Sequence, residues 1–384
     1  MKKLFVILLI PFLISSCGVN KTKSEKTSEI TSELKGVWLS CYELDFDDKS
    51  ETGFAKKINS IFSDIKSMGF NTVFVHARSH CDAFYNSEYF PYSAFISGKQ
   101  GKNPGYDPLK IMCYFAKIHN LQIHAWINPF RITSNSDTSN LSDDNPALKY
   151  IKSGTGEVKK TNSGYYFNPS YKSIRTLIIN GIKEILENYS VEGIHFDDYF
   201  YPTTEESFDK AEYEKYRQSN DVDITLDDFR RENINLLIKD VYSITKKYNK
   251  TFGISPHCSF YYNYNIQYAD VEKWCENEGY IDYIAPQIYF GFEEKSKTED
   301  NQPLSFKECL EYWKKKTKNK TMYIGLAIYK CGTEKEWLKK DDVISRQINY
   351  LRNSKANGFI IFSYSYFELN KIETSNLIKE IKAS

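Results

Sequence analysis

From residue 34 onward, short apolar runs alternate with amphipathic ones eight times, and this alternation constrains the fold more than any other feature. The strand-like runs fall at 36–40, 71–78, 121–128, 191–197, 251–256, 283–289, 322–328 and 358–363. Helix-like runs follow them at 54–68, 108–119, 170–189, 226–248, 268–277, 306–316, 341–355 and 372–381, with a shorter helix near 205–218. In the first of these, apolar residues at 54, 58, 61, 62 and 65 mark one helix face. Strands separated by helices run parallel. Eight such units close a (β/α)8 barrel, a TIM barrel, so 34–384 is expected to form one. The rival, an open doubly wound sheet, needs a Gly-rich loop after its first strand, and Trp38-Leu39-Ser40-Cys41-Tyr42 offers none. The body exceeds the ~250 residues typical of a barrel. Its extra length falls in loops 79–106, 129–168 and 199–224, each after a strand and therefore on the C-terminal face, where barrel enzymes bind substrate.

Composition narrows the function classes. Hydrophobic residues make up 41% and charged residues 26%, which excludes a wholly disordered chain, a collagen and a multi-pass membrane protein. Fifty-one basic side chains against 50 acidic give a net charge of +1, so no nucleic-acid partner is expected. Aromatic content is high at 16%, with 30 Tyr and 25 Phe, and suits surfaces both apolar and wet.

The N-terminus reads as an address. Lys2 and Lys3 precede an apolar run from Leu4 to Ile14, too short to span a bilayer but right for a secretory signal over residues 1–16. Leu13-Ile14-Ser15-Ser16-Cys17 resembles a bacterial lipobox, which makes Cys17 the lipidated first residue after cleavage. Residues 17–33 then form a polar tether holding the domain off the membrane. Residues 1–16 carry two Lys and no acid, so cleavage leaves 49 basic side chains against 50 acidic. The expected location is extracytoplasmic and lipid-anchored to the bacterial membrane, with a monomeric domain.

Seven further cysteines remain, at 41, 81, 113, 258, 275, 309 and 331, an odd number that leaves at least one free thiol. Cys41 and Cys81 follow the first two strands and are candidates for a disulfide. No CxxC pair exists, and His76, His80 and Cys81 run off a strand end rather than along a helix face, so neither a metal nor another cofactor is expected. Arg230 and Arg231, on the long helix, read as solvated or ion-paired surface.

Polar residues gather at the strand ends. Alternation predicts that Phe74, His76 and Arg78 point into the barrel, as do His124, Trp126 and Asn128, then His195 and Asp197, then Gln287 and Tyr289. The sharpest segment is Gly193-Ile194-His195-Phe196-Asp197-Asp198-Tyr199-Phe200-Tyr201-Pro202, in which two adjacent carboxylates sit inside an aromatic cluster. Buried carboxylates are costly unless used or paired. Asp197 is therefore the first catalytic candidate, with His195 to orient it. Asp198 follows on the opposite parity and should point aside or lie on the loop. Glycoside hydrolysis needs two carboxyl groups. Asp197 and Asp198 are adjacent on a strand, so their side chains should diverge and they are not expected to be the pair by themselves; Asp82, Asp198, Glu293 and Glu294 are open as the partner. Trp38, Trp126, Tyr199, Phe200, Tyr201, Tyr289, Phe290, Tyr329, Tyr364 and Tyr366 offer flat faces for sugar rings, about half of them expected in the core.

These segments resemble glycosyl-hydrolase-like family ten, a bacterial (β/α)8 group. The resemblance runs from Gly36-Val37-Trp38 to Phe362-Ser363-Tyr364. Its most specific parts are Phe74-Val75-His76-Ala77-Arg78 with Asp82-Ala83-Phe84-Tyr85, His124-Ala125-Trp126-Ile127-Asn128-Pro129-Phe130-Arg131, Tyr166-Phe167-Asn168-Pro169, the His195–Pro202 segment, Gly253-Ile254-Ser255-Pro256 and Pro286-Gln287-Ile288-Tyr289. It implies a glycosidase acting on a cell-wall or related amino-sugar glycan by carboxylate chemistry. Arg78, Asn128, Asp197, Asp198 and Gln287 would line the cleft, and Asp82, Trp126, Arg131, Asn168, Tyr199, Tyr289 and Tyr364 would add substrate contacts. Ser79-His80-Cys81 departs from the small residues usual there. Tyr199 stands where family eighteen chitinases carry an acid, which argues against their substrate-assisted arrangement and leaves the general acid unassigned. The alternatives are a glycan-binding lipoprotein that does not cut and a metal-dependent polysaccharide deacetylase.

Overall fold

The structure is a computed structural model and describes residues 33–299, 301–317, 320–354 and 356–383. The expected export signal, Cys17 and nearly all of the tether lie outside the described residues.

Ten strands are present among the described residues: β1 (Leu34–Leu39), β2 (Thr72–Arg78), β3 (Gln122–Ile127), β4 (Val158–Thr161), β5 (Gly164–Phe167), β6 (Gly193–Phe196), β7 (Thr251–Ile254), β8 (Tyr283–Ile284), β9 (Thr321–Ala327) and β10 (Gly358–Phe362). Eight close a barrel in the order β1-β10-β9-β8-β7-β6-β3-β2, every neighbouring pair parallel. This is the TIM barrel that the eightfold alternation predicts.

Local chemistry sets the element ends. The helix Glu51–Met68 starts earlier than its apolar stripe because Ser50 caps it, its hydroxyl accepting from Gly53 N at 3.1 Å. It stops at Gly69, whose φ of 101° only glycine adopts readily. Its buried face, Phe54, Ile58, Ile61, Phe62 and Ile65, is the stripe seen in the sequence. Of the helix expected at 268–277 only Val271–Glu276 forms, capped by Asp270; a short helix the sequence reading did not anticipate, Phe260–Asn265 capped by Ser259, precedes it, and Tyr268 stands between the two at φ 54°. β8 is much shorter than its apolar run, because Pro286 has no N–H for the ladder. The second long loop contains the antiparallel hairpin β4–β5, which its polar sequence did not announce.

Aromatic rings fill the barrel lumen: Trp38, Phe74, Trp126 and Tyr283 pack with Ala285 and Ile360. Gly253 makes room for Tyr283, since a Cβ there would lie 2.1 Å from the ring. A hydrogen-bonded chain crosses this floor. Trp38 Nε1 donates to His195 Nε2 at 3.3 Å, His195 Nδ1 lies 3.0 Å from the Tyr283 hydroxyl, and that hydroxyl lies 3.2 Å from His124 Nδ1. Burial pushes the pKa of His195 well down and that of His124 down to about 3, so both rings are neutral.

Two expectations need correction. Arg230 is not surface: it is fully buried, paired with Asp209 at 2.6 Å, and donates also to Thr204 O, Glu205 O and the Tyr268 hydroxyl. It therefore ties the loop after β6 to the helix Leu226–Lys247. Cys41 and Cys81 are both buried and unbonded, as are the other cysteines of the barrel apart from the half-buried Cys113, which is also free.

Candidate active site

A cavity of about 270 Å³ opens over the C-terminal ends of the strands. Its walls are Trp38, Trp126, Asp197, Asp198, Tyr199, Gln287, Tyr289, Tyr329 and Phe362. Larger hollows exist, one of about 690 Å³ beside the β4–β5 hairpin, but this one lies where barrel strands deliver their side chains.

The two aspartates behave differently from simple strand alternation. β6 ends at Phe196, so the chain turns before Asp198 and both carboxyls reach the same cavity. Asp197 is held in place: its Oδ1 accepts from Asp198 N at 2.9 Å and from Gln287 Nε2 at 2.9 Å. Gln287 is fixed in turn by donating to Ser255 O at 3.0 Å. Burial raises the pKa of Asp197, and these donors together with the nearby Arg131 charge oppose the rise. Asp198 is held well above the ordinary carboxylate range, by burial first and by the Asp197 charge second, with a side-chain hydrogen bond between the two carboxyls. One proton therefore stays on the pair, and it belongs on Asp198, which has fewer donors. Gln267, from the loop after β7, donates to Asp198. Sequence reasoning missed Gln267, because no motif surrounds it.

Trp126 offers a second chemical handle. Its ring stacks on His76, with centroids 3.5 Å apart, and its Nε1 is buried without a partner at the cavity wall. A buried N–H without a partner is rare, and a ligand oxygen would satisfy it. Tyr199 is the exposed wall, with the Arg131 guanidinium 4.7 Å from its ring centre. Arg131 is anchored by two hydrogen bonds to Ser79 O, at 3.2 and 3.1 Å.

Several expected cleft residues lie behind the wall. Arg78 is buried, donates to Asn128 O and Pro129 O at 3.0 and 2.6 Å, and has its guanidinium 4.4 Å from the Phe90 ring centre. The reason is a β-bulge: His76 pairs with Trp126, but Arg78 rather than Ala77 pairs with Ile127, which reverses the parity of the strand end. Asn128 is fully buried and donates to Ser79 O at 3.3 Å. Asp82 is buried and accepts from His80 N at 3.2 Å. Asn168 organises its own turn, accepting from Ser170 N and Oγ. The Tyr364 hydroxyl donates to Asp64 at 3.1 Å. His195 does not orient Asp197, because both its ring nitrogens are engaged by Trp38 and Tyr283. Glu294 is bonded to Ser296 and paired with Lys335 at 3.4 Å, and neither it nor Glu293 borders the cavity. Phe200 and Tyr201 are core. His76 Nδ1 accepts from Cys41 N at 2.8 Å, and among the described residues no group of three or more His, Cys, Asp or Glu is arranged to hold a metal ion.

The Glycosyl hydrolase-like 10 family model matches residues 33–341. The chain belongs to this glycosyl hydrolase-like family. Family membership makes it a glycoside hydrolase in class. Among its relatives, "Glycosyl hydrolase YngK" of Bacillus subtilis is 35% identical over 373 residues, covering 88% of this chain and 69% of YngK. "Glycosyl hydrolase DigH" of Escherichia coli K12 is 27% identical over 402 residues, covering 93% and 88%. Among solved structures, the PgaB (BpsB) glycoside hydrolase domain from Bordetella bronchiseptica superposes with a TM-score of 0.62 at 10% identity, over 91% of this chain and 99% of that one. The catalytic domain of β-amylase from Paenibacillus polymyxa gives 0.58 at 10%, over 92% and 98%. Such low identities speak for the barrel alone.

Proposed function

We propose that this glycoside hydrolase cleaves a bacterial cell-wall or related amino-sugar glycan, with Asp198 as the general acid and Asp197 as its ionised partner. The observation that carries the reading is the pair itself: two carboxyls on one small aromatic cavity, one held by donors and the other holding the shared proton. A protonated carboxyl beside the glycosidic oxygen can give up its proton as the bond breaks, and an ionised one steadies the positive charge that develops at the sugar. Trp38, Trp126, Tyr289 and Tyr329 supply flat faces for a sugar ring, and the unpaired Trp126 N–H would donate to one of its oxygens.

The test is hydrolysis of purified glycan strands across pH. The pair titrates as a unit. Activity rises as its first proton leaves and Asp197 becomes charged, then falls as the second leaves Asp198. Because the second loss is pushed well above the ordinary carboxylate range, the optimum should lie higher than that of two unperturbed carboxyls. A rate that keeps climbing into alkaline pH would remove Asp198 as the acid. Binding of strands without any released product would favour the non-cutting alternative.

The charged start, apolar run and lipobox-like Leu13–Cys17 segment support export and a lipid anchor at Cys17. More than one acyl chain gives stable attachment. Cys17→Ser should move the protein from the membrane fraction to the soluble one, and an unchanged distribution would argue against the anchor.

A further inference from the structure

We infer that the nucleophile in this reaction comes from the substrate, so that the sugar on the non-reducing side of the cleaved bond must be an N-acylated 2-amino sugar whose acyl oxygen attacks its own C1. The inference rests on the hydrolysis proposed above and says how it proceeds.

Hydrolysis by two protein carboxyls sets them about 5–5.5 Å apart for retention or about 6.5–9.5 Å for inversion, on either side of the scissile bond. The cavity does not offer that arrangement. Among the described residues Asp197 and Asp198 are the carboxyls on its wall, and they are chain neighbours. Asp198 N bonds Asp197 Oδ1 at 2.9 Å, which folds the Asp197 carboxylate back over its neighbour's backbone, so both act from one side. The other candidates are elsewhere: Asp82 lies buried against the His80 amide, and Glu293 and Glu294 do not border the cavity. The remaining wall is aromatic, formed by Trp38, Trp126, Tyr289, Tyr329 and Phe362, with Gln287 committed to Asp197. An acylamino group matches these surroundings. Its methyl packs on the rings, its N–H faces the Asp197 carboxylate, and its carbonyl oxygen is left toward C1. Tyr199 at the chitinase acid position is no obstacle, because Asp198, one residue earlier in the chain, also borders the cavity and takes that role.

The steps balance. Asp198 transfers its proton to the glycosidic oxygen as the C1–O bond breaks. The acyl oxygen bonds to C1, and Asp197 takes the amide proton, leaving a neutral oxazoline. Water then attacks C1 and gives a proton to the Asp198 carboxylate while the C1–O(acyl) bond opens. Asp197 returns its proton to nitrogen. One water is consumed, and two inversions at C1 retain its configuration.

The test compares glycan strands with the same strands after chemical de-N-acetylation, using the full chain and following the first-formed anomer by NMR. The N-acetylated strand should yield the retained anomer. An intramolecular nucleophile is worth a large effective concentration, so kcat on the de-N-acetylated strand should fall at least about a thousandfold. A thiazoline analogue of the cyclic intermediate should compete with substrate. Initial formation of the inverted anomer, or equal kcat on both strands, would overturn the inference while leaving the hydrolysis standing. Cleavage of neither strand would overturn both.

Discussion

Asp198→Asn should lower kcat on natural glycan about 10²–10⁴-fold, the usual contribution of a positioned general acid. KM should change little, because the amide keeps the shape of the side chain. The diagnostic feature is the leaving group. An activated aryl glycoside needs no proton, so its cleavage should survive the substitution far better than that of natural strands. Asp197→Asn should show no such rescue, since the charge of Asp197 itself is needed whatever departs. Equal loss on both substrate types in Asp198→Asn would show that Asp198 is not the acid. The geometry favours this assignment over the reverse one, because Asp197 already accepts two hydrogen bonds that stabilise its charge.

The largest stability effect is expected at Arg230. Its guanidinium is fully enclosed and satisfies Asp209, two loop carbonyls and the Tyr268 hydroxyl at once. Arg230→Ala strands the equally buried Asp209 charge, and breaking a buried pair in this way costs about 3–5 kcal/mol. The denaturation midpoint should fall while the denaturant slope stays unchanged. Activity should fall as well, since the freed segment begins only a few residues after Asp198. The double variant Arg230→Met, Asp209→Leu should recover much of the stability, because it removes both charges together. A single variant as stable as the parent would show that the pair does not hold the loop.

How far the site was legible can be judged residue by residue. Asp197, Trp126, Gln287 and Tyr289 follow from period-two alternation at strand ends, and all four border the cavity. Asp198 also borders it, against alternation, because β6 stops at Phe196. Arg78 shares the parity of His76 in the sequence yet faces the opposite way, because one inserted residue in the β2–β3 register reverses everything beyond it. Gln267 carries no local signal at all: its contact with Asp198 exists because the loop after β7 comes back across the rim.

What the sequence by itself determined is the barrel. Hydrophobic periodicity is a property of each segment, repeated eight times, and a parallel closed sheet is the arrangement that buries every stripe at once. Tertiary structure decided which strand-end groups meet and where their protons rest. Those depend on a bulge, a strand that stops one residue before the end of its expected run, and the desolvation of two carboxyls by aromatic rings drawn from β1, β3, β10 and the segments beyond β8 and β9. Such effects act across space between residues far apart in the chain, so no local pattern records them.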